Sequence, residues 1–203
     1  MKSLSLFVGL FGLSITLLSA QSRVSIAPTY WFAYNPYSYQ LDMTYNAVPT
    51  QIQAAGYNTV SSLGLTTRYH VSFRWDLSVG VLYQRNTDHV ESPQGPYSES
   101  ATFISKGVQI PVVLSYRLND HRLSPYFSAG ALFTKSITFT EALVKTDGLI
   151  GVGLDYQLHS GLSLLVQPTA SYGIFQPVPD AFPRYINYRS YSLGIQTQLI
   201  WHF

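Results

Sequence analysis

The last thirteen residues, "YSLGIQTQLIWHF", alternate with a period of two. Tyr191, Leu193, Ile195, Thr197, Leu199, Trp201 and Phe203 share one face of an extended chain, and Ser192, Gly194, Gln196, Gln198, Ile200 and His202 share the other. Side chains of a strand point to opposite faces in turn, so the segment predicts a strand with one apolar and one small or polar face. The split recurs seven more times. Near the start, Val24, Ile26, Pro28, Tyr30 and Phe32 oppose Ser25, Ala27, Thr29 and Trp31. The apolar faces of the rest run Leu63–Val71, Leu77–Tyr83, Val108–Leu118, Phe127–Phe133, Ile150–Leu158 and Leu162–Tyr172, each interleaved with Gly, Ser, Thr, Gln and a few larger residues. No helical periodicity intervenes, and the expectation is eight amphipathic strands.

The connections alternate in length. Long polar stretches are expected at Asn35–Asn58, Thr87–Thr102, Ile137–Asp147 and Phe175–Ile186, and short turns at Ser72–Arg74, Asn119–Ser124 and His159–Gly161. This alternation marks an up-and-down barrel whose two ends face different surroundings. A weak repeat supports it: the strands entering the short-turn end finish "RYHV", "SYRL", "DYQL" and "IWHF". Each sets an apolar-face aromatic (Tyr69, Tyr116, Tyr156, Trp201) before an inner polar residue (His70, Arg117, Gln157, His202). Four aromatics at one depth form the girdle of a membrane interface, here the periplasmic one.

Periodicity does not say whether the apolar face meets a core or lipid. A secreted lipocalin-like barrel also has eight strands, with the apolar face inside. Its outer face then meets water and needs lysine and glutamate. Charged residues make up only 11% of this chain, and the polar face is mostly glycine, serine, threonine and glutamine. Small residues suit the crowded interior of a narrow barrel. From Leu193 to Trp201 the strand rises ~20 Å along the normal at a tilt near 40°, and from Tyr191 to Phe203 ~30 Å, bracketing an apolar band of about 25 Å. The predicted fold is all-β, a closed antiparallel up-and-down eight-stranded transmembrane barrel.

Residues 1–20 read as a cleaved secretory signal peptide: Lys2, an apolar run from Leu4 to Leu18, and the small pair Ser19 and Ala20. The barrel domain is then 21–203, exported by the Sec route to the outer membrane. The absence of cysteine removes disulfides, thiolate metal sites, cysteine nucleophiles and an N-terminal lipidated cysteine. Scattered basic residues and a net charge of +2 give no footprint for nucleic acid.

With the leader, "IPVVLSYRL" at Ile110–Leu118, "SPYFSAGALF" at Ser124–Phe133 and the terminal aromatic, the chain resembles the eight-stranded outer-membrane β-barrel domain family of Gram-negative bacteria. It is similar in outline to OmpX and the OmpA barrel, and in flavour to PorT-like, porin-family barrels. The resemblance covers 21–203 and implies an architecture more than a role. It implies that Tyr191, Leu199, Trp201 and Phe203 form a C-terminal signal read by the barrel-assembly machinery. Outer-membrane lipid and lipopolysaccharide are the expected surroundings of a monomer.

The inner face places Arg68, His70, Arg117, Asp155 and His202 toward the short-turn end. Charges inside a narrow barrel must be paired or hydrated, so an Arg68–Asp155 or Arg117–Asp155 contact in a polar plug is expected. A gate in a narrow pore for small solutes is the alternative. Lipid A-modifying enzymes also exist on such barrels, but the "HVES" segment sets His89 and Glu91 on one side and Ser92 on the other, and no triad is visible. No histidine spacing suggests a metal site, and no cofactor is expected. Pro111, in mid-strand, predicts a bulge or local edge. The segment "YNPYSYQLDMTYNAVP" is either a binding surface for an external ligand or a loop folding its tyrosines onto the rim. The function expected is that of a non-enzymatic outer-membrane protein, structural or acting through its external loops. Removing Phe203 should lower the yield of membrane-assembled barrel more than it lowers the stability of whatever barrel forms; normal membrane yield of the truncated chain would contradict a targeting role for this residue.

Overall fold

A computed structural model describes residues 23–45, 48–91, 100–138, 144–175 and 184–203. The expected leader, 1–20, lies outside the described residues. Those described form eight strands: β1 (Val24–Tyr45), β2 (Val48–His70), β3 (Trp75–Glu91), β4 (Ser100–Arg117), β5 (Leu123–Ser136), β6 (Lys145–His159), β7 (Leu162–Phe175) and β8 (Arg184–His202). Each strand pairs antiparallel with the next, and β1 pairs with β8 from Ser25↔His202 upward, closing the sheet. Closure leaves no sheet edge with unpaired backbone groups, the condition for a sheet to cross hydrocarbon.

The faces fall as the alternation requires. Ser25, Ala27, Thr29 and Trp31 are buried, whereas Tyr30 and Phe32, of the other parity, are exposed. Leu63, Leu65 and Ile150 expose 60% or more of their surface. An apolar belt of this extent needs hydrocarbon around it. The lipocalin-like alternative, with this face turned inward, is not what the chain adopts.

Inward positions are small because strands on a narrow barrel approach closely. A Cβ added at Gly130 would stand 2.8 Å from Val113 Cα, and one at Gly153 2.9 Å from Gln167 Cα. Two buried apolar clusters fill the middle of the lumen. Trp31, Leu82, Val113, Leu132 and Leu149 form one, and Ala27, Tyr126, Leu165 and Ile200 the other.

Two expectations need correction. Asn35–Asn58 is not an irregular loop: β1 and β2 stay paired through Tyr45↔Val48, and β8 joins them as far as Asp42↔Arg184. Likewise β3 extends to Glu91, β4 starts at Ser100 and β6 at Lys145. Beyond a membrane neither face of a strand has to be apolar, so polar residues and Pro36 give the β1 arm the look of a loop. Tyr37, Tyr39, Leu41, Met43 and Tyr45 still alternate with Ser38, Gln40, Asp42 and Thr44, and the hydrogen-bonded ladder continues. The short turns come out close to their expected places, at Val71–Arg74, 118–122 and Ser160–Gly161.

Pro111 produces no bulge. The β3–β4 register keeps one offset on both sides of it, from Val79↔Val112 to Leu82↔Gln109. The proline is buried on the inner face, and a Cβ at Gly80 would lie 3.3 Å from its Cγ. The glycine leaves room for the ring, so the strand needs no extra residue to absorb it.

Candidate functional site

At the short-turn end each strand contributes an inward polar or aromatic group to one network. Arg68 and His70 come from β2, Asp76 from β3, Arg117 from β4, Tyr126 from β5 and Asp155 from β6. Ser25 of β1, Ser163 of β7, and Gln198 and His202 of β8 complete the ring. Arg68 is only 1% exposed. Its Nη1 lies 3.7 Å from both Asp76 Oδ2 and Asp155 Oδ2, and its Nη2 donates to Gln198 Oε1 at 2.9 Å. Its guanidinium also stacks over the Tyr126 ring, 5.1 Å from the centroid. Arg117 Nη2 donates to Asp155 Oδ2 at 3.0 Å and stands 3.8 Å from Asp76 Oδ2. Both expected arginine–aspartate contacts therefore form, and two guanidinium groups balance two carboxylates where unpaired charge would cost several kcal/mol, on the order of 3–5.

Asp76 is the member that the sequence reading lacks. It sits one residue before Leu77, where that reading began the strand, yet its parity matches Ser78 and it faces inward. Its Oδ1 lies 2.5 Å from His70 Nδ1, and His70 Nε2 lies 3.2 Å from Ser25 Oγ. This serine–histidine–aspartate line, invisible in the sequence, has the order of a catalytic relay. Ser25 Oγ, however, is 3.0 Å from His202 Nδ1 as well, whose Nε2 lies 3.0 Å from Ser163 Oγ. Held between two stacked imidazoles and 1% exposed, Ser25 offers no approach for an acyl group. The line links strands β7, β8, β1, β2 and β3 by hydrogen bonds.

Two cavities flank the filled middle. One of about 350 Å³ opens toward the long hairpins, walled by Asn35, Asn58, Gln84, Asn86, Asp88 and Gln109 and floored by Trp31 and Leu132. The other, about 550 Å³, opens at the short turns over His70, Arg117, Asp155 and His202. From the residue before β1 onward the order is Arg23 in the lower cavity, Ala27 and Trp31 in the apolar clusters, and Ala33, Asn35 and Tyr37 in the upper cavity. The apolar layers thus lie between the two cavities.

The remaining expected residues stand apart from this network. Tyr69, Tyr116, Tyr156 and Trp201 face outward at the short-turn end, each exposed or half-exposed. Trp75 packs against Tyr116 in a tilted arrangement with ring centroids 5.0 Å apart, and Arg122 lies over Tyr156 at 5.3 Å. Tyr191, Leu199 and Trp201 lie on the outer face of β8, with Phe203 following it. In the tyrosine-rich segment, Tyr34 packs 5.5 Å from Tyr57 and Tyr37 lines the upper cavity. His89 Nδ1 lies 3.1 Å from Thr102 Oγ1, and its ring is 4.8 Å from that of Tyr57. Ser92 lies outside the described residues. Among the described residues no group of three His, Cys, Asp or Glu is placed to hold a metal ion.

The network makes a quantitative prediction. Asp155→Asn keeps the shape but leaves Arg68 and Arg117 facing a single carboxylate, at an expected cost of about 3 kcal/mol. Adding Arg117→Gln should recover part of the loss through a coupling of roughly 0.5–3 kcal/mol. Urea unfolding of the barrel in lipid vesicles measures both; additive losses would contradict a shared network.

No protein-family model matches the sequence, and no curated protein matches it. Solved structures do. The outer membrane protein OprG from Pseudomonas aeruginosa aligns at 13% identity over 89% of this chain and 96% of its own, with a TM-score of 0.58. The outer membrane protein AlkL, solved in lipid bilayers, aligns at 17% identity over 89% of this chain and 90% of its own, with a TM-score of 0.51. At such identities the likeness concerns the backbone alone. By closure, topology and the placing of its apolar face, this chain has the fold of the eight-stranded outer-membrane β-barrels.

Proposed function

We propose that the chain is a non-enzymatic integral protein of the outer membrane, with a closed lumen, that acts structurally or through its long hairpins. The filled middle of the barrel carries this reading: Trp31, Leu82, Val113, Leu132 and Leu149 pack against one another between the two cavities. An eight-stranded barrel is about wide enough for its own side chains. The Arg68 network lies beyond the second apolar cluster and adds a second barrier. OprG and AlkL, which share the fold, are outer membrane proteins, which supports the same membrane for this chain. The buried position of Ser25 speaks against catalysis by the one nucleophile–base line described above.

In this reading the short turns and the C-terminus face the periplasm and the long hairpins face outward. A narrow pore is the second reading, favoured by the cavities that enter from both ends. The chain has no cysteine, so single cysteines report cleanly. A membrane-impermeant maleimide should label Ile137→Cys, at the long-hairpin end, in intact cells and should leave Asp120→Cys, in a short turn, unlabelled until the envelope is opened. Planar-bilayer recordings of the wild type should show no conductance steps. Labelling of Asp120→Cys in intact cells would overturn the orientation, and resolved steps would favour the pore.

A further inference from the structure

Where the outer apolar band stops, the two ends of the barrel differ. At the short-turn end it stops in aromatics. At the long-hairpin end, on three consecutive strands, it is broken by cations, with exposed Ile104 and Ile137 following beyond two of them. On β3 the outward run Val79, Val81, Tyr83 leads to Arg85; on β4 Ile110 and Val108 lead to Lys106; on β5 Phe133 leads to Lys135. All three cations are exposed. Arg85 and Lys106 are direct cross-strand partners, and Lys135, opposite Val108, is the diagonal neighbour of Lys106. With adjacent strands about 4.8 Å apart, the three lie within roughly 10 Å across the wall.

Like charges directly opposite on neighbouring strands destabilise the pair. Among the described side chains no carboxylate relieves this: Asp76, Asp88, Asp147 and Asp155 point inward, and Asp120 lies in a turn at the other end. An anion resting on the wall would relieve it. Lipid acyl chains would occupy the apolar surface next to it, formed by Tyr83, Val81 and Phe133.

We propose that Arg85, Lys106 and Lys135 bind the phosphate groups of an outer-leaflet glycolipid whose acyl chains lie against the adjoining band. The proposal rests on the long hairpins facing outward. The Arg85 guanidinium suits bidentate contact with phosphate oxygens, and the two lysines act as point charges. Cations at a membrane surface attract anionic headgroups strongly enough that losing three of them should be plain in affinity.

The test uses the refolded barrel in neutral detergent, with lipid A, lipid A stripped of its phosphates, and inorganic phosphate as probes. Affinity is read from the rise in the temperature at which the folded gel band disappears. Lipid A should raise it, and the dephosphorylated lipid and inorganic phosphate should not. Arg85→Gln/Lys106→Gln/Lys135→Gln should bind lipid A at least about tenfold more weakly. Lys145→Gln, which removes a cation facing the lumen, should bind as the wild type does. Should the triple variant fail to fold, Arg85→Gln alone should still weaken binding severalfold. Unchanged affinity in the folded triple variant, or in Arg85→Gln, would overturn the proposal, as would equal protection by dephosphorylated lipid or by inorganic phosphate. The cysteine labels keep the orientation separate: a reversed pattern overturns the leaflet assigned, whereas the expected pattern without lipid A binding overturns the site itself.

Discussion

A chain that crosses hydrocarbon has no water to satisfy its backbone, so every N–H and C=O in the span must find a partner within the protein. The closed ladder from β1 round to β8 meets that demand, and the rest of the structure follows from it. Closure at eight strands fixes a narrow lumen, which in turn favours Gly, Ser and Thr at many inward positions. Alternation then puts every second residue against lipid. Large inward residues, Trp31, Tyr126, Leu165 and Ile200 among them, fill the middle of the lumen between the two cavities.

The same constraint explains the ionic network. A charge that enters such a lumen is cut off from bulk water and has to be matched, and Arg68 is matched by Asp76 and Asp155 at equal distance. Because the groups come from every strand, the network reports on register all the way round. A slip of one residue in β2 or β6 would turn Arg68 or Asp155 toward lipid and leave its partner uncompensated. The network therefore acts against misregistered barrels as much as it stabilises the correct one. The serine–histidine–aspartate line through Ser25, His70 and Asp76 belongs to this closure, since its nucleophile is sealed by the two imidazoles that hold it.

Where hydrocarbon enforced the pattern, the fold was legible in the residues. Parity alone put Arg68, Arg117, Asp155 and His202 on one inner face near one end, and the structure brings them together. It hid Asp76 and Tyr126 only because those strands were begun one residue late, at Leu77 and Phe127. The hairpin arms beyond the band were missed for a different reason. Tyr37, Tyr39, Leu41, Met43 and Tyr45 do alternate with Ser38, Gln40, Asp42 and Thr44, but a stretch that opens on Asn35 and Pro36 and is rich in polar residues reads locally as a loop. Pro111 misled differently. Taken alone, a mid-strand proline argues for a bulge, but its space is supplied by Gly80 on a neighbouring strand, a pairing that no local reading contains. The cationic cluster of Arg85, Lys106 and Lys135 likewise exists only once three strands stand in register.

The central claim is that the apolar face of each strand meets lipid and the small polar face lines a filled lumen. Single-cysteine spin labels stepped along β8 from Tyr191 to Phe203, in a bilayer equilibrated with oxygen, test it most directly. The account predicts a period of two, with high oxygen collision rates at positions 193, 195, 199 and 201 and low rates at 196, 198 and 200. The opposite phase, or a uniform profile, would contradict it.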